Sequence, residues 1–353
     1  MKNHRGFSSF VLPVLASSLM LCSALASAIT LPRDGWASWQ VPAVDNAPNW
    51  CCFGDGWSGG KTPDVLRGTC QLDEKDYGYG THGRNETTEQ MRIYARFAGG
   101  KLERVRALSA SCAVNAKTQI QDITGITADE SAKWLVSVIA QDTSTQEKEK
   151  EKDKEKERGR RVGGDALAAL ATLRGNTARD ALAGIARNDA SMKNRKDAVF
   201  WLAQVRGNEG AEIITPIMFN DSEPKVREHA AFALSQTRTP KAAASLIQLG
   251  NTDRDTKVRS QAWFWLSQSR AAESENAIRA ALQKETDRHV RDQAIFALSQ
   301  LPEDRGARAL IAVAEDKSMS REDRKKAIFW LGQMKSDSAI SYLDRILMAK
   351  GKE

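Results

Sequence analysis

Histidine is scarce in this sequence, with four in 353 residues, and none stands at the spacing to a second histidine or a glutamate that helical zinc sites use. No Gly-x-Ser-x-Gly elbow and no glycine-rich phosphate loop is present. His229 and His289 fall at predicted helix starts on the surface, and we interpret His82, in the Gly/Tyr-rich stretch 77–84, as part of a turn rather than a ligand loop. These observations predict no catalytic residues, no metal and no cofactor.

Long apolar runs are also lacking, apart from one near the N-terminus at residues 10–26. Lys2 and Arg5 precede this run, and it ends in Ala-Ser-Ala at 26–28, the small-x-small pattern that signal peptidase cleaves. A membrane helix needs about 20 apolar residues without such interruptions as Pro13. We therefore predict a signal peptide over residues 1–28, cleaved after Ala28, in a periplasmic or secreted protein without stable membrane insertion.

Cysteine does not occur beyond residue 112. Cys51, Cys52, Cys70 and Cys112 remain after removal of the predicted signal peptide, and an even number in an oxidising compartment predicts disulfides. Because the neighbours Cys51 and Cys52 are poorly placed to bond each other, we expect one of them to pair with Cys70 and the other with Cys112. The alternative, a zinc site, requires Cys-x(2–4)-Cys knuckles that the sequence lacks.

A strong excess of one charge is lacking as well, since the net charge of +7 is mild for this length. Together with the predicted export, this argues against a nucleic-acid partner.

Residues 29–126 are rich in tryptophan, glycine and proline, which excludes long helices. Two alternating segments, 91–98 and 101–109, flank Gly99-Gly100 and predict a β-hairpin. We predict a small β-rich domain stapled by disulfides. An enzymatic site in this domain and glycan binding remain open as alternatives; the candidates for glycan binding are better explained as core residues and are Trp36, Trp39, Trp50 and Trp57.

Residues 127–353 are dominated by a repeat. The pattern Arg-x-x-Ala-x-Phe-(Ala/Trp)-Leu-x-Gln occurs five times, at separations of 32, 32, 32 and 33 residues, with arginines at Arg195, Arg227, Arg259, Arg291 and Arg324. A fixed period of this size predicts stacked helical hairpins, in which the motif is the second helix of each unit. A degenerate copy begins at Asp165, and a helix starting at Thr127, with Glu130 at the capping-box position, is its candidate partner.

A charged run separates this first helix from the degenerate copy. We expect the helix to end near Gln141, and we expect Gly159, Gly163 and Gly164 to break any helix after the charged run. Residues 142–162 are then a solvated, flexible insertion, because the strictly alternating charges at 147–158 give opposing i,i+3 and i,i+4 contributions to helix stability.

The motif ends in a phenylalanine and a glutamine four residues apart, which lie on one helix face. Two interpretations compete: inter-repeat packing, in which the glutamines bond neighbouring groups, and a groove that binds a partner. The pairs are Phe200/Gln204, Phe232/Gln236, Phe264/Gln268, Phe296/Gln300 and Phe329/Gln333.

Two further series repeat with the motif. The residue after each phenylalanine alternates between large and small, which predicts tryptophans in a shared core; the series is Trp201, Ala233, Trp265, Ala297 and Trp330. An acid stands six residues before each of the first four arginines, which predicts acid–arginine contacts at helix starts; these acids are Asp189, Asp221, Asp253 and Glu285.

The pattern Val-Arg-x-x-Ala-x-x-Ala-Leu at 226–234 and 290–298 resembles the HEAT repeat family in its short, phycobilisome-lyase-like form, over residues 163–348. The layout also resembles secreted bacterial HEAT repeat-domain proteins. The resemblance implies a mostly α fold, a right-handed α-solenoid that acts as a non-enzymatic scaffold for a protein or peptide partner. Some lyase members bind bilin chromophores, but the repeat consensus does not carry that activity, so a chromophore-lyase-like protein is only an alternative. The oligomeric state is left open.

Overall fold

A computed structural model describes residues 30–52, 69–74, 79–81, 87–149, 162–237, 239–269, 271–302 and 304–350. The predicted signal peptide, His82, Trp57 and most of the charged run at 150–161 lie outside the described residues. Residues Leu31–Glu353 form one compact unit.

The N-terminal region is a β-structure, as predicted. Its strands within the described residues are β1 (Gly35–Pro48), β2 (Trp50–Cys52), β3 (Cys70–Gln71), β4 (Tyr79–Thr81), β5 (Thr87–Ala98), β6 (Lys101–Ser109), β7 (Val114–Asn115) and β8 (Ile120–Asp122). The main sheet has the order β6-β5-β1-β8, antiparallel except where β8 pairs with β1. The predicted hairpin joins β5 and β6 through Gly99 and Gly100, whose φ angles of 57° and 78° lie in the left-handed region that glycine tolerates best.

Disulfides staple this region. Cys51 of β2 is bonded to Cys112, which confirms one member of the predicted pairing. Cys70 of β3 is disulfide-bonded too.

Side chains along β1 alternate between the two faces of the main sheet, and each face packs against a different part of the protein. Trp36 faces a small cluster that includes Leu72 and Leu108. Trp39 faces the helices, where its Nε1 donates to Ser131 Oγ at 2.9 Å. The sheet and the helices therefore share a continuous apolar core.

From Ala128 onward the described residues are mainly helical, which confirms the predicted helical hairpins. Thirteen helices occur within the described residues, namely α1 (Ala128–Glu149), α2 (Val162–Thr172), α3 (Asn176–Asn188), α4 (Met192–Val205), α5 (Gly207–Asn220), α6 (Pro224–Thr237), α7 (Pro240–Thr252), α8 (Thr256–Gln268), α9 (Ser274–Leu282), α10 (Arg288–Ser299), α11 (Arg305–Glu315), α12 (Arg321–Leu331) and α13 (Asp337–Lys350).

The start of α1 follows the predicted capping box. Glu130 N donates to Thr127 Oγ1 at 3.2 Å, and Thr127 N donates to the Glu130 carboxylate at 2.9 Å. Its end differs from the prediction near Gln141, because α1 continues to Glu149 through good helix formers such as glutamine, glutamate and lysine.

Gly163 and Gly164, which we expected to break a helix, lie instead in the first turn of α2. A Cβ on Gly163 would stand 2.6 Å from Asp142 Oδ2 of α1, so glycine at this position permits a close approach of the two helices. Helices α1 and α2 pack against each other as the first hairpin.

The hairpins form two layers. The first helices of successive units pack on one another (α1, α3, α5, α7, α9, α11, α13), and so do the second helices, here called motif helices (α2, α4, α6, α8, α10, α12).

Each of the first four repeated arginines joins its own unit to the next one. Arg227 donates from Nε and Nη2 to the two carboxylate oxygens of Asp253, at 2.8 and 2.9 Å, and from Nη1 to the carbonyl oxygen of Asp221 at 2.9 Å. Only 1% of the Arg227 side chain and 4% of the Asp253 side chain are exposed. The other pairs of this arginine–acid ladder are Arg195–Asp221, Arg259–Glu285 and Arg291–Asp323.

The predicted acid–arginine contacts at helix starts are present, and they join neighbouring units. Asp221, Asp253 and Glu285 each offer the arginine six residues later only a main-chain oxygen, whereas their carboxylates pair with the arginine of the preceding unit. Burial by itself acts to raise the pKa of the Glu285 and Asp323 carboxyls. Hydrogen bonds from Arg259 and Arg291 outweigh this, so the pKa of each is lowered and both are ionised at neutral pH.

Replacement of Arg227 by alanine tests the weight of one ladder pair. We expect Arg227→Ala to lower the free energy of unfolding by about 3–5 kcal/mol, because the buried Asp253 carboxylate is left unpaired. The control is Lys193→Ala, which removes an exposed pair with Asp197 at 3.2 Å and changes the stability by less than about 1 kcal/mol. Urea denaturation measures both, and equal effects would contradict a central role of the ladder.

Close helix packing gives a second prediction, at Gly210 of α5. A Cβ there would stand 2.0 Å from the Leu202 carbonyl oxygen, so we expect Gly210→Ala to destabilise the fold by about 1–3 kcal/mol. Gly184 of α3 has no atom within 4 Å of an added Cβ, and Gly184→Ala is expected to stabilise by about 0.5–1 kcal/mol. Thermal unfolding of both variants measures the difference, and shifts in the same direction would be inconsistent with it.

Candidate functional site

The five Phe/Gln pairs lie at the C-terminal ends of the motif helices, with Gln300 and Gln333 just beyond the last helical residue, and we call them the Phe–Gln column. Within the column the glutamines are exposed in every unit: Gln204, Gln236, Gln268, Gln300 and Gln333. The phenylalanines are half-buried except Phe329, in the last unit, which is 55% exposed. The column therefore presents a row of amide groups beside a row of partly covered rings.

Ring contacts explain why the phenylalanines are partly covered. The Trp265 ring lies between those of Phe232 and Phe264, with centroids 4.7 and 4.8 Å away. At the next unit, where Ala297 replaces tryptophan, Phe264 and Phe296 stack directly, with centroids 6.0 Å apart and planes 2° from parallel. The alternation of tryptophan and alanine thus decides whether neighbouring phenylalanines touch or are bridged.

This arrangement corrects the expectation that the three alternating tryptophans lie in the interior. Trp201, Trp265 and Trp330 are only partly buried, and together with the phenylalanines of the column they form a row of rings that we call the aromatic row. Trp263, which is 1% exposed, is the interior tryptophan of α8. The α-helical period places Trp263 and Trp265 about 200° apart, so both cannot face the core.

The N-terminal sheet region covers one end of the aromatic row. Trp50 of β2 contacts Trp201 of α4, with ring centroids 5.2 Å apart, and Trp201 in turn contacts Phe200 at 5.1 Å.

The amide groups of the column make few contacts inside the protein. Gln236 and Gln300 each donate to the hydroxyl of the serine one residue earlier, at 3.1 and 3.0 Å. Among the described residues, the side-chain amides of Gln204, Gln268 and Gln333 have no hydrogen-bond partner. The amides are thus available to an external donor or acceptor.

Lysines follow the same helix face. Lys193, Lys225 and Lys257 each precede the phenylalanine of their motif helix by seven residues, which places them within about 20° of its direction. All three are exposed, and we call them the lysine row. Lys193 and Lys257 contact Asp197 and Glu228 at 3.2 and 3.9 Å, but exposed pairs of this kind exchange readily with other anions.

The other predicted candidates do not form a site within the described residues. Trp36 and Trp39 are buried, so neither offers a ring face to a sugar, and Trp50 is covered by Trp201. His229 is half-buried beside Phe232 rather than solvated, and burial, together with Lys196, lowers its pKa. In the part of the chain that the structure describes, no cluster of three or more histidine, cysteine and acidic side chains is placed to hold a metal.

A surface hollow of about 380 Å³ lies between the C-terminal ends of α7 and α9. Its charged groups include Arg259 and Glu285, which neutralise each other as a ladder pair. We assign it no ligand. No described helix is both long and apolar enough to cross a membrane.

Stacked hairpins with a regular exposed face define the class of helical-repeat scaffold proteins. Residues 179–264 and 246–322 match the family described as HEAT repeats. Residues 179–322 of this chain are therefore HEAT repeats.

A search of curated proteins finds no match. Among solved structures, human deoxyhypusine hydroxylase in complex with glycerol is similar at 14% identity and a TM-score of 0.28, over 62% of this chain and 90% of that chain. The Escherichia coli protein YibA is similar at 20% identity and a TM-score of 0.35, over 62% of this chain and 77% of that chain. We draw no argument from superpositions this weak.

The aromatic row gives a third prediction. We expect Phe264→Ala to destabilise the protein by about 1–3 kcal/mol, because Phe264 loses ring contacts with both Trp265 and Phe296. Phe329→Ala, at the exposed end of the row, is the matched control and should change the stability by less than about 1 kcal/mol. Chemical denaturation compares the two, and equal losses would contradict the greater contribution expected from the internal ring contacts.

Proposed function

We propose that this protein is a non-enzymatic scaffold that binds an extended segment of a partner protein along the Phe–Gln column. The observation that carries the proposal is the row of five exposed glutamines at the C-terminal ends of neighbouring motif helices. The assignment to HEAT repeats supports a role in protein interaction.

The spacing of the column suits an extended chain. Packed helices lie about 8–10 Å apart, and an extended peptide advances about 3.3 Å per residue, so one unit faces about every third residue of the peptide. Each glutamine amide offers both donors and an acceptor to the peptide main chain. The half-buried rings offer apolar surface to side chains between these contacts.

The lysine row supplies a preference among partners. An extended segment on the column passes within two helical turns of Lys193, Lys225 and Lys257. Carboxylates on that side of the segment gain favourable electrostatic interactions, so we propose a segment that carries acidic residues.

We also propose that the protein acts in the periplasm or outside the cell. The Cys51–Cys112 disulfide supports this location, since disulfides persist in oxidising compartments. The predicted signal peptide is consistent with it.

A display library of random linear peptides tests the proposal. We expect enrichment of acidic sequences whose affinity for the protein falls about tenfold or more in the double variant Gln236→Ala/Gln268→Ala. The melting temperature should stay unchanged because both side chains are exposed. Fluorescence anisotropy with a selected peptide measures the affinity, which higher salt should also weaken.

The matched control is Gln248→Ala, which alters an exposed glutamine on α7 in the layer of first helices. Unchanged peptide affinity is expected for this variant. If no peptide is enriched, or if Gln248→Ala weakens binding as much as the column variant, the column is not the binding surface.

A further inference from the structure

An apolar stripe on α13 is uncovered among the described residues. Ile340 is 52% and Leu347 67% exposed, and Leu343 and Ile346 between them are half-buried. The positions 33 residues earlier, on α11, are at most 9% exposed: Ala307, Leu310, Val313 and Ala314. The same positions on α7 are also buried, namely Ala243, Leu246 and Leu249.

The stripe corresponds to the helix face that, in the first helices of the internal units, is covered by a motif helix. Helix α11 packs closely against α12, the motif helix that follows it, and α7 packs in the same way against α8. On α13 the residues Ala339 and Tyr342 are buried, so this helix is seated on its neighbours through another face. What α13 lacks, within residues 304–350, is an antiparallel helix over the stripe.

The arginine–acid ladder is incomplete at the same end. Arg195, Arg227, Arg259 and Arg291 each bind a carboxylate of the following unit. Arg324 instead donates to the main-chain oxygen of Met319, and no described carboxylate lies within ion-pair distance of it. The occupant of this end therefore has to bring both an apolar helix and an acid near the start of that helix.

We propose that a second copy of this chain covers the stripe, with the two α13 helices packed antiparallel about a two-fold axis. Helix α13 has both required features, because its stripe is apolar and the exposed Asp337 lies in its first turn. In this arrangement Ile340 faces Leu347 of the second copy. Asp337 of the second copy then lies beside the C-terminal end of α13 in the first copy. This is the end of α13 nearest the start of α12 and Arg324.

The opposite end of the repeat array cannot serve as the partner surface. There β2 covers the aromatic row through the contact of Trp50 with Trp201. Head-to-tail stacking of copies is therefore blocked, and a self-complementary interface that closes as a dimer remains. This surface is separate from the Phe–Gln column, so the proposal does not depend on the proposed function.

Sedimentation equilibrium of the full chain tests the proposal. We expect a mass twice that of the single chain, and a dissociation constant raised about a hundredfold or more by Leu347→Glu. Because Leu347 is exposed in the single chain, the variant should keep its helical content and melting temperature at low concentration. Gln248→Glu, at an exposed position on α7 away from the stripe, is the control and should leave the dimer intact.

A charge exchange tests the orientation of the two helices. Arg324→Glu and Asp337→Arg should each weaken the dimer, and the two changes together in one chain should restore it. A monomer at all concentrations, or a dimer that Leu347→Glu does not affect, would overturn the proposal. A failure of the charge exchange to restore association would overturn the antiparallel arrangement.

Discussion

The buried ion pair between one unit and the next is the interaction on which the helical array depends. Asp221 and Asp253 each follow the last residue of a first helix, accept an N–H at the turn into the motif helix, and pair with the arginine of the preceding unit. One carboxylate thus sets the turn within a unit and the stacking between units. Because a buried charge without its partner is strongly unfavourable, these pairs oppose changes in the register of the stack.

The two ends of the array follow from the same rule. At the N-terminal end a disulfide-stapled sheet covers the helices, and its Trp50 contacts the aromatic row where a further unit would otherwise lie. At the C-terminal end Arg324, Phe329 and the stripe on α13 retain the surface of an internal unit. A repeat array needs covered ends, so this asymmetry makes the second end the natural place for association.

The sequence predicted the fold class, the hairpin of β5 and β6 and the capping box of α1, because local periodicity and turn chemistry specify them. It misassigned the glycines in the first turn of α2, since sequence alone does not show that α1 approaches at that point. The alternating tryptophans were misplaced for a related reason. A bulky apolar residue next to a phenylalanine suits a core or an aromatic row equally well until the neighbouring helix is in place.

The sequence by itself determined the repeat unit, its period and the residues that recur at each step, because these properties repeat along the chain. Only the tertiary structure decided which acid each arginine binds. It also showed that the glutamines remain exposed while the phenylalanines are half-covered, and that α13 has an open face. These outcomes depend on contacts between residues of different units that lie 26 to 33 positions apart in the sequence. At such separations helix packing rather than local sequence determines which side chains meet.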